Sequence, residues 1–149
     1  MVYQIKNIKE EISSLPNNFR WSIDKLLPEI ETCMNLGIYT YDMFPAVDEA
    51  LKDKTATYSY AEENFYLHAI RTLKETFPEI VLMSDVAMDP YSSDGHDGLV
   101  ENGTILNDET LPILNKMALA QAQAGIDIIG PSDMMDGRVG SIREYLDLH

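Results

Sequence analysis

Cysteine is almost absent from this chain: Cys33 is the only one among 149 residues, so no intrachain disulfide can form. It falls among apolar positions of a predicted helix and reads as an inert core thiol. Basic residues are also scarce. Eleven Lys and Arg stand against 25 Asp and Glu, a formal net charge of −14. A field of that sign repels phosphate backbones, and no basic stripe interrupts it, which argues against nucleic acid as a partner. For most of these carboxylates a solubility role suffices. No apolar run approaches the roughly 18 residues of a membrane helix, and no basic segment followed by an apolar one opens the chain. The expectation is a cytoplasmic protein with no membrane partner. A glycine-rich phosphate loop is lacking too. Gly95, Gly98 and Gly103 have neither the G-x-G-x-x-G spacing nor the place just before a helix, which disfavours a nucleotide cofactor.

What the chain does contain is the composition of an ordinary globular domain, 45% hydrophobic and 24% charged, of a size that suits one compact unit. Short apolar runs alternate with amphipathic stretches. Ser22 is placed to cap a helix carrying Ile23, Leu26, Leu27, Ile30 and Met34, with Gly37 as its stop and Pro28 as a point where it could kink or break. A strand follows at Ile38 to Phe44, ended by Pro45, and then a polar loop, Ala46 to Tyr58, with a short helical turn. Ser59 and Glu62 form a capping-box pattern for a helix with Phe65, Ala69, Leu73 and Phe77 on one stripe, stopped by Pro78. Strand Ile80 to Val86 leads into a long Asp/Gly loop. Asp108 can cap a third helix that ends at Gly125. After strand Ile126 to Gly130, Asp136 can cap a last helix, Arg138 to Leu148. A weaker strand signal lies at Val2 to Ile5. Nearly continuous apolar strands between amphipathic helices predict an α/β protein with a parallel sheet. Periodicity alone does not separate an open doubly wound sheet from a (β/α)₈ barrel.

Two loops carry the chemistry. Asp85-Val-Ala-Met-Asp89-Pro-Tyr-Ser-Ser-Asp94-Gly-His96-Asp97-Gly98 follows one strand, and Pro131-Ser132-Asp133-Met-Met-Asp136-Gly-Arg138 follows another. The C-terminal ends of parallel strands are where α/β proteins build their sites. Asp89, Asp94 and Asp97 with His96 suit a hard cation such as Mg²⁺ or Ca²⁺. No EF-hand register fits: anchoring on Gly95 puts Pro90 first, and anchoring on Gly98 puts Ser93 first and Thr104 last. A surface loop built on Asx-turns is an equally good reading. Ser132-Asp133 reads as a nucleophile, a polarising pair or a cap, without a histidine to complete a triad. Arg138 reads as an anion clamp or a solvated helix-start residue.

Taken together, Asp85-Val-Ala-Met-Asp89-Pro-Tyr…Gly95-His96-Asp97-Gly98, Leu106-Asn-Asp-Glu-Thr110 and Pro131-Ser-Asp-Met-Met-Asp-Gly-Arg138 resemble 5-aminolevulinate dehydratase, or porphobilinogen synthase. Phe19-Arg-Trp-Ser-Ile-Asp-Lys-Leu26 and Phe44-Pro45 agree, so the likeness runs from about Ile8 to the C-terminus. The resemblance implies a (β/α)₈ TIM barrel. It also implies a lyase that condenses two 5-aminolevulinate molecules, with loss of water, to porphobilinogen for heme and other tetrapyrroles. Two Schiff-base lysines carry that chemistry, a role that needs a depressed lysine pKa. Carried onto this sequence, the resemblance assigns Asp85, Ser132 and Asp133 to catalysis, Ser132 to substrate binding, and Asp89, Asp97 and His96 to a metal. Ala87, Asp89 and Asp97 stand where zinc-dependent members have cysteines, so zinc is disfavoured and Mg²⁺, or no metal, is implied. Asp94 departs from the histidine common at its position.

A (β/α)₈ barrel takes about 250 residues. Residues 1–149 would then form a partial TIM-barrel domain of about four βα units with the second half of the barrel and the family's N-terminal arm absent. None of the seven lysines (Lys6, Lys9, Lys25, Lys52, Lys54, Lys74, Lys116) falls in the motif loops. The expectation is a partial dehydratase, inactive alone. The alternative is a non-catalytic half-barrel that binds metal or small acids and self-associates through two open sheet edges.

Overall fold

The computed structural model describes residues 1–4 and 6–149. In chain order the elements are β1 (Val2–Tyr3), β2 (Lys9–Glu11), β3 (Phe19–Ser22), α1 (Ile23–Asn35), β4 (Thr40–Met43), β5 (Pro45–Ala46), α2 (Phe65–Thr76), β6 (Val81–Val86), β7 (Val100–Glu101), β8 (Thr104–Ile105), α3 (Asn107–Ala124), β9 (Ile128–Pro131) and α4 (Arg138–Leu148). Two 3₁₀ turns, Glu49–Leu51 and Thr57–Tyr60, lie in the loop after β5.

The three strands expected from the apolar runs form one parallel sheet in the order β4-β6-β9. β5 continues the line of β4 past Phe44, and β1 pairs with it in parallel. The successive parallel strands are therefore β1, β4/β5, β6 and β9, each beside the next. A doubly wound sheet reverses its order part-way; a barrel does not. Contacts run α2 to α3 and α3 to α4, so these helices share the outer face.

Burial along β6 alternates. Leu82, Ser84 and Val86 are fully buried under the helices, while Val81, Met83 and Asp85 on the opposite face are half-buried. A strand's side chains alternate faces with a period of two, so the second set faces the barrel interior. The outer face is the core. One cluster joins Leu26, Ile30, Leu67, Ile70, Leu73 and Leu82, and another joins Val86, Leu114, Met117, Met135 and Ile142. Each such side chain contributes about 1.5–3 kcal/mol by leaving water.

Several local expectations are corrected. α1 runs unbroken through Pro28, which forfeits one backbone bond near the helix start while the apolar face stays packed. Ser22 holds the cap position, but its hydroxyl bonds Ile8 rather than the helix. α2 starts at Phe65, not after Ser59. Buried Asn64 caps it, its side-chain oxygen accepting from Tyr66 N at 2.8 Å and its amide donating to Tyr58 O and Ser59 O. α3 begins one residue before Asp108, with Leu106 in the cap position. α4 is entered through Gly137 at φ 76°, a left-handed turn that favours glycine, so Asp136 is not its cap. Of the expected Val2–Ile5 strand, Val2–Tyr3 is present, and Ile5 lies outside the described residues. The sheet has two outer strands among the described residues: β1 is covered by β3, which leaves β2, paired only with β3, at one end, and β9, paired only with β6, at the other.

Among the described residues no helix is long and apolar enough to cross a membrane.

Candidate active site at the strand ends

Parallel register sets the geometry of the inner face. Asp42 lies beside Met83 and Met83 beside Ile128, and one step higher Asp85 lies beside Gly130. Ser132, two residues beyond Gly130, continues the same face. Its hydroxyl donates to Asp85 Oδ1 at 2.6 Å, joining the ends of β6 and β9. Behind the strand, Gln121 Nε2 of α3 donates to Asp85 O at 2.9 Å and fixes the backbone that carries the carboxylate. Asp42, Phe44, Met83, Asp85, Gly130, Pro131 and Ser132 line a cleft of about 320 Å³. Its lining is apolar at Phe44, Met83 and Pro131 and acidic at Asp42 and Asp85.

Asp42 is the residue that the sequence reading passed over. Thr40, Asp42 and Phe44 alternate along β4 with Tyr41 and Met43, a period-two signal that places them inward. Partial burial raises the Asp42 carboxyl above the ordinary aspartate value, and the negative Asp85 adds to the shift. Tyr66 was passed over as well. From α2 its buried hydroxyl donates to Met43 O at 2.8 Å and shares a 2.7 Å bond with Ser84 Oγ, pinning β4 to β6 next to the cleft. Burial drives its phenol well above the usual range, so it serves as a neutral hydrogen-bonding group.

Asp133 is placed differently from its expected catalytic role. It has no exposed surface and does not line the cleft. Oδ1 accepts from Met135 N at 2.8 Å, and Oδ2 lies 3.3 Å from Arg138 Nε. Burial raises its pKa, the Met135 N–H and Arg138 oppose the shift, and Asp97 adds to it. With the side chains of adjacent residues pointing opposite ways, Ser132 at the cleft puts Asp133 inside. Asp133 is thus the internal partner of Arg138, and Arg138, which also donates to Met135 O, is not free to clamp a substrate.

The loop residues assigned to a metal separate into two groups. Asp89 lies close enough to Asp97 and Asp85 to feel their charges. The Asp89 carboxyl is pushed up first by desolvation and then by the charges of Asp97 and Asp85. His96 faces its own loop: Gly98 N donates to its Nδ1 at 3.1 Å, so in the neutral ring the proton sits on Nε2 and no lone pair is left for a metal. Among the described residues no group of three or more His, Cys, Asp or Glu side chains is arranged to hold a metal ion. Ala87 is buried and offers no donor, and Asp94 is exposed, its N–H bonded to Ser92 Oγ.

Among the described residues no lysine lines the cleft. Lys74 lies at the opposite end of the sheet, paired with Asp127 at 3.0 Å and donating to Ile80 O. Lys52 pairs with Glu49, and Lys9 and Lys116 lie over aromatic rings.

Consecutive parallel strands, helices on one face and polar groups gathered at the strand ends define a barrel-type α/β protein with its site at the C-terminal face of the sheet. The family model for delta-aminolevulinic acid dehydratase matches residues 1–149, and the chain belongs to that family. It is 49% identical over 141 residues to delta-aminolevulinic acid dehydratase of Chlamydia pneumoniae, covering 95% of this chain and 42% of the relative. The Bradyrhizobium diazoefficiens protein of that name is 48% identical over 141 residues, covering 95% and 40%. Among solved structures, the chain superposes with a TM-score of 0.96 on delta-aminolevulinic acid dehydratase (porphobilinogen synthase) from Toxoplasma gondii in complex with the reaction product porphobilinogen. That match is 45% identical and covers 99% of this chain and 42% of the other. The fold is thus that of the N-terminal part of the family's barrel, and the chain spans about two fifths of the length of these relatives.

Proposed function

We propose that this chain supplies the N-terminal portion of a porphobilinogen synthase site, the lyase that condenses two 5-aminolevulinate molecules in tetrapyrrole and heme biosynthesis, and that it does not complete the reaction alone. The Ser132–Asp85 hydrogen bond across the ends of β6 and β9 carries this reading. The hydroxyl holds one carboxylate oxygen, which leaves the other toward the cleft to orient a substrate and to bias the protonation of amines brought near it. Asp133 supports the Ser132 loop from inside. Residues 1–149 form one partial-barrel domain, four strands deep, and the Schiff-base lysines lie outside it. A cytoplasmic location belongs to the same reading.

A metal fits only in part. Two facing carboxylates suit Mg²⁺, which is commonly held by one or two carboxylates and keeps several waters, and they do not supply the three or four N/S donors typical of zinc. Asp89 and Asp97 are the residues that would hold it. Bound there, the ion would offset the mutual repulsion of Asp89, Asp97 and Asp85.

Borohydride trapping tests the proposal. The purified chain is incubated with 5-aminolevulinate, reduced and weighed intact by mass spectrometry. The expected result is no adduct and no porphobilinogen formed; a stoichiometric adduct would assign a Schiff-base role to one of the seven lysines and overturn the reading.

A second reading has its own support in the open β9 edge: a non-catalytic half-barrel that binds metal or small acids and covers that edge by self-association. A stable, uniform dimer in light scattering favours it.

A further inference from the structure

Asp42 remains unexplained by packing. Its carboxyl lies on the inner face one step below Asp85, and two residues along a strand is about 6–7 Å. It shares the cleft with Asp85 and Ser132, and among the described residues no Lys or Arg pairs with it. Its side chain is solvent-exposed, and its neighbours on that face are Met83 and Phe44. A ligand that covers it must set a cation opposite it, because a buried and unpaired carboxylate is strongly disfavoured. Asp85 already has one oxygen occupied by Ser132. The chain thus builds two negative groups, at two depths, into a single cleft of small-molecule size.

We infer that Asp42 is a specificity-determining residue of this cleft, a second carboxylate that selects a ligand bearing a protonated amine and disfavours an otherwise identical neutral-ended one. The inference rests on the dehydratase reading, since it concerns the same cleft. Asp85 and Ser132 orient the ligand at the rim, and Asp42 sets the charge of what can be drawn down to the floor. A single charge at this range, in surroundings of intermediate polarity, is worth about a tenfold preference.

The probe pair is 5-aminolevulinate and 4-oxopentanoate, the same keto acid without the amino group. Each is titrated into the full 149-residue chain and into Asp42→Asn, Asp42→Glu and Asp85→Asn, with binding read by NMR shift changes and folding by circular dichroism. The expected result is a preference of about tenfold for the amino acid in the unaltered chain. That preference falls to near parity in Asp42→Asn, returns in Asp42→Glu, and leaves 4-oxopentanoate affinity undiminished throughout. A merely structural role for Asp42 would weaken both ligands together. A preference unchanged in Asp42→Asn but lost in Asp85→Asn overturns the role of Asp42 and leaves the dehydratase reading intact. If neither acid binds the unaltered chain at millimolar concentration, the reading of the cleft fails and the inference fails with it.

Discussion

Tyr66 joins two strands through one oxygen. Its hydroxyl meets Met43 O and Ser84 Oγ inside the core, where no water can replace it. Tyr66→Phe would strand both partners, and the expected loss is about 1–3 kcal/mol of unfolding free energy in urea titration. Two aspartates respond to pH in opposite directions. Asp127 is partly buried, which alone would raise its pKa, but the Leu82 N–H and Lys74 outweigh this and hold it below the ordinary value. A depressed carboxyl stabilises the fold above the unfolded-state pKa of about 3.9 and loses that contribution as pH falls through the folded value. Asp127→Asn is therefore expected to lower the melting temperature at pH 7, with the difference from the unaltered chain closing as the pH drops below about 4. Asp42 is raised, so its ionisation works against the fold as pH climbs past that same value. Asp42→Asn should melt slightly higher at pH 7 and match the unaltered chain at pH 3. Melting curves at the two pH values test both signs.

At the scale of elements, helix starts respond to groups that sequence spacing alone does not reveal. Asn64 caps α2 and closes the preceding turn with the same amide, so Asn64→Ala removes the cap bond from Tyr66 N and the amide's bonds to Tyr58 O, Ser59 O and the Tyr91 hydroxyl. The expected loss is about 2–3 kcal/mol, larger than an exposed cap would give. The Ser59-x-x-Glu62 pattern looked like the cap because it satisfies the local rule; the core position of Tyr66 and Leu67 fixes where the helix begins. Asn107 behaves similarly. It accepts from Asp136 N at 2.7 Å and donates to Asp136 O at 3.2 Å, so the residue expected to cap α4 is held by the start of α3 instead. Strands β4, β6 and β9 were legible because each is a short apolar run between a helix and a polar loop. Asp85 and Ser132 were legible from their motifs and their places at strand ends. Asp42 was not: a lone aspartate in Tyr-Thr-Tyr-Asp-Met-Phe gains meaning only when the face toward the barrel interior is known. Asp133 lies behind the cleft and not on it, for the complementary reason. Motif proximity does not say which of two adjacent side chains points inward, and the backbone alternation does.

For the whole molecule, the deciding tension lies between the open edge of β9 and the charge of −14. Ile128 is 44% exposed on the inner side of that edge, and Val139 is 63% exposed beside a groove of about 390 Å³ lined by Ile126, Ile129, Ile142 and Leu146. Unpaired strand amides and carbonyls beside apolar surface favour association. The negative field opposes the approach of a second copy, and salt screens that field, the Debye length falling from about 30 Å at 0.01 M to about 10 Å at 0.1 M. Association through the edge should therefore strengthen as salt rises, the reverse of an assembly held by ion pairs. Light scattering at 20 µM is expected to show a larger mass at 0.3 M than at 0.01 M NaCl. Val139→Gln, which leaves the net charge unchanged, should reduce the effect, while a substitution on the covered β1–β3 side should not. A mass that falls with added salt would place the contact on charged surface elsewhere and remove the open edge as its cause.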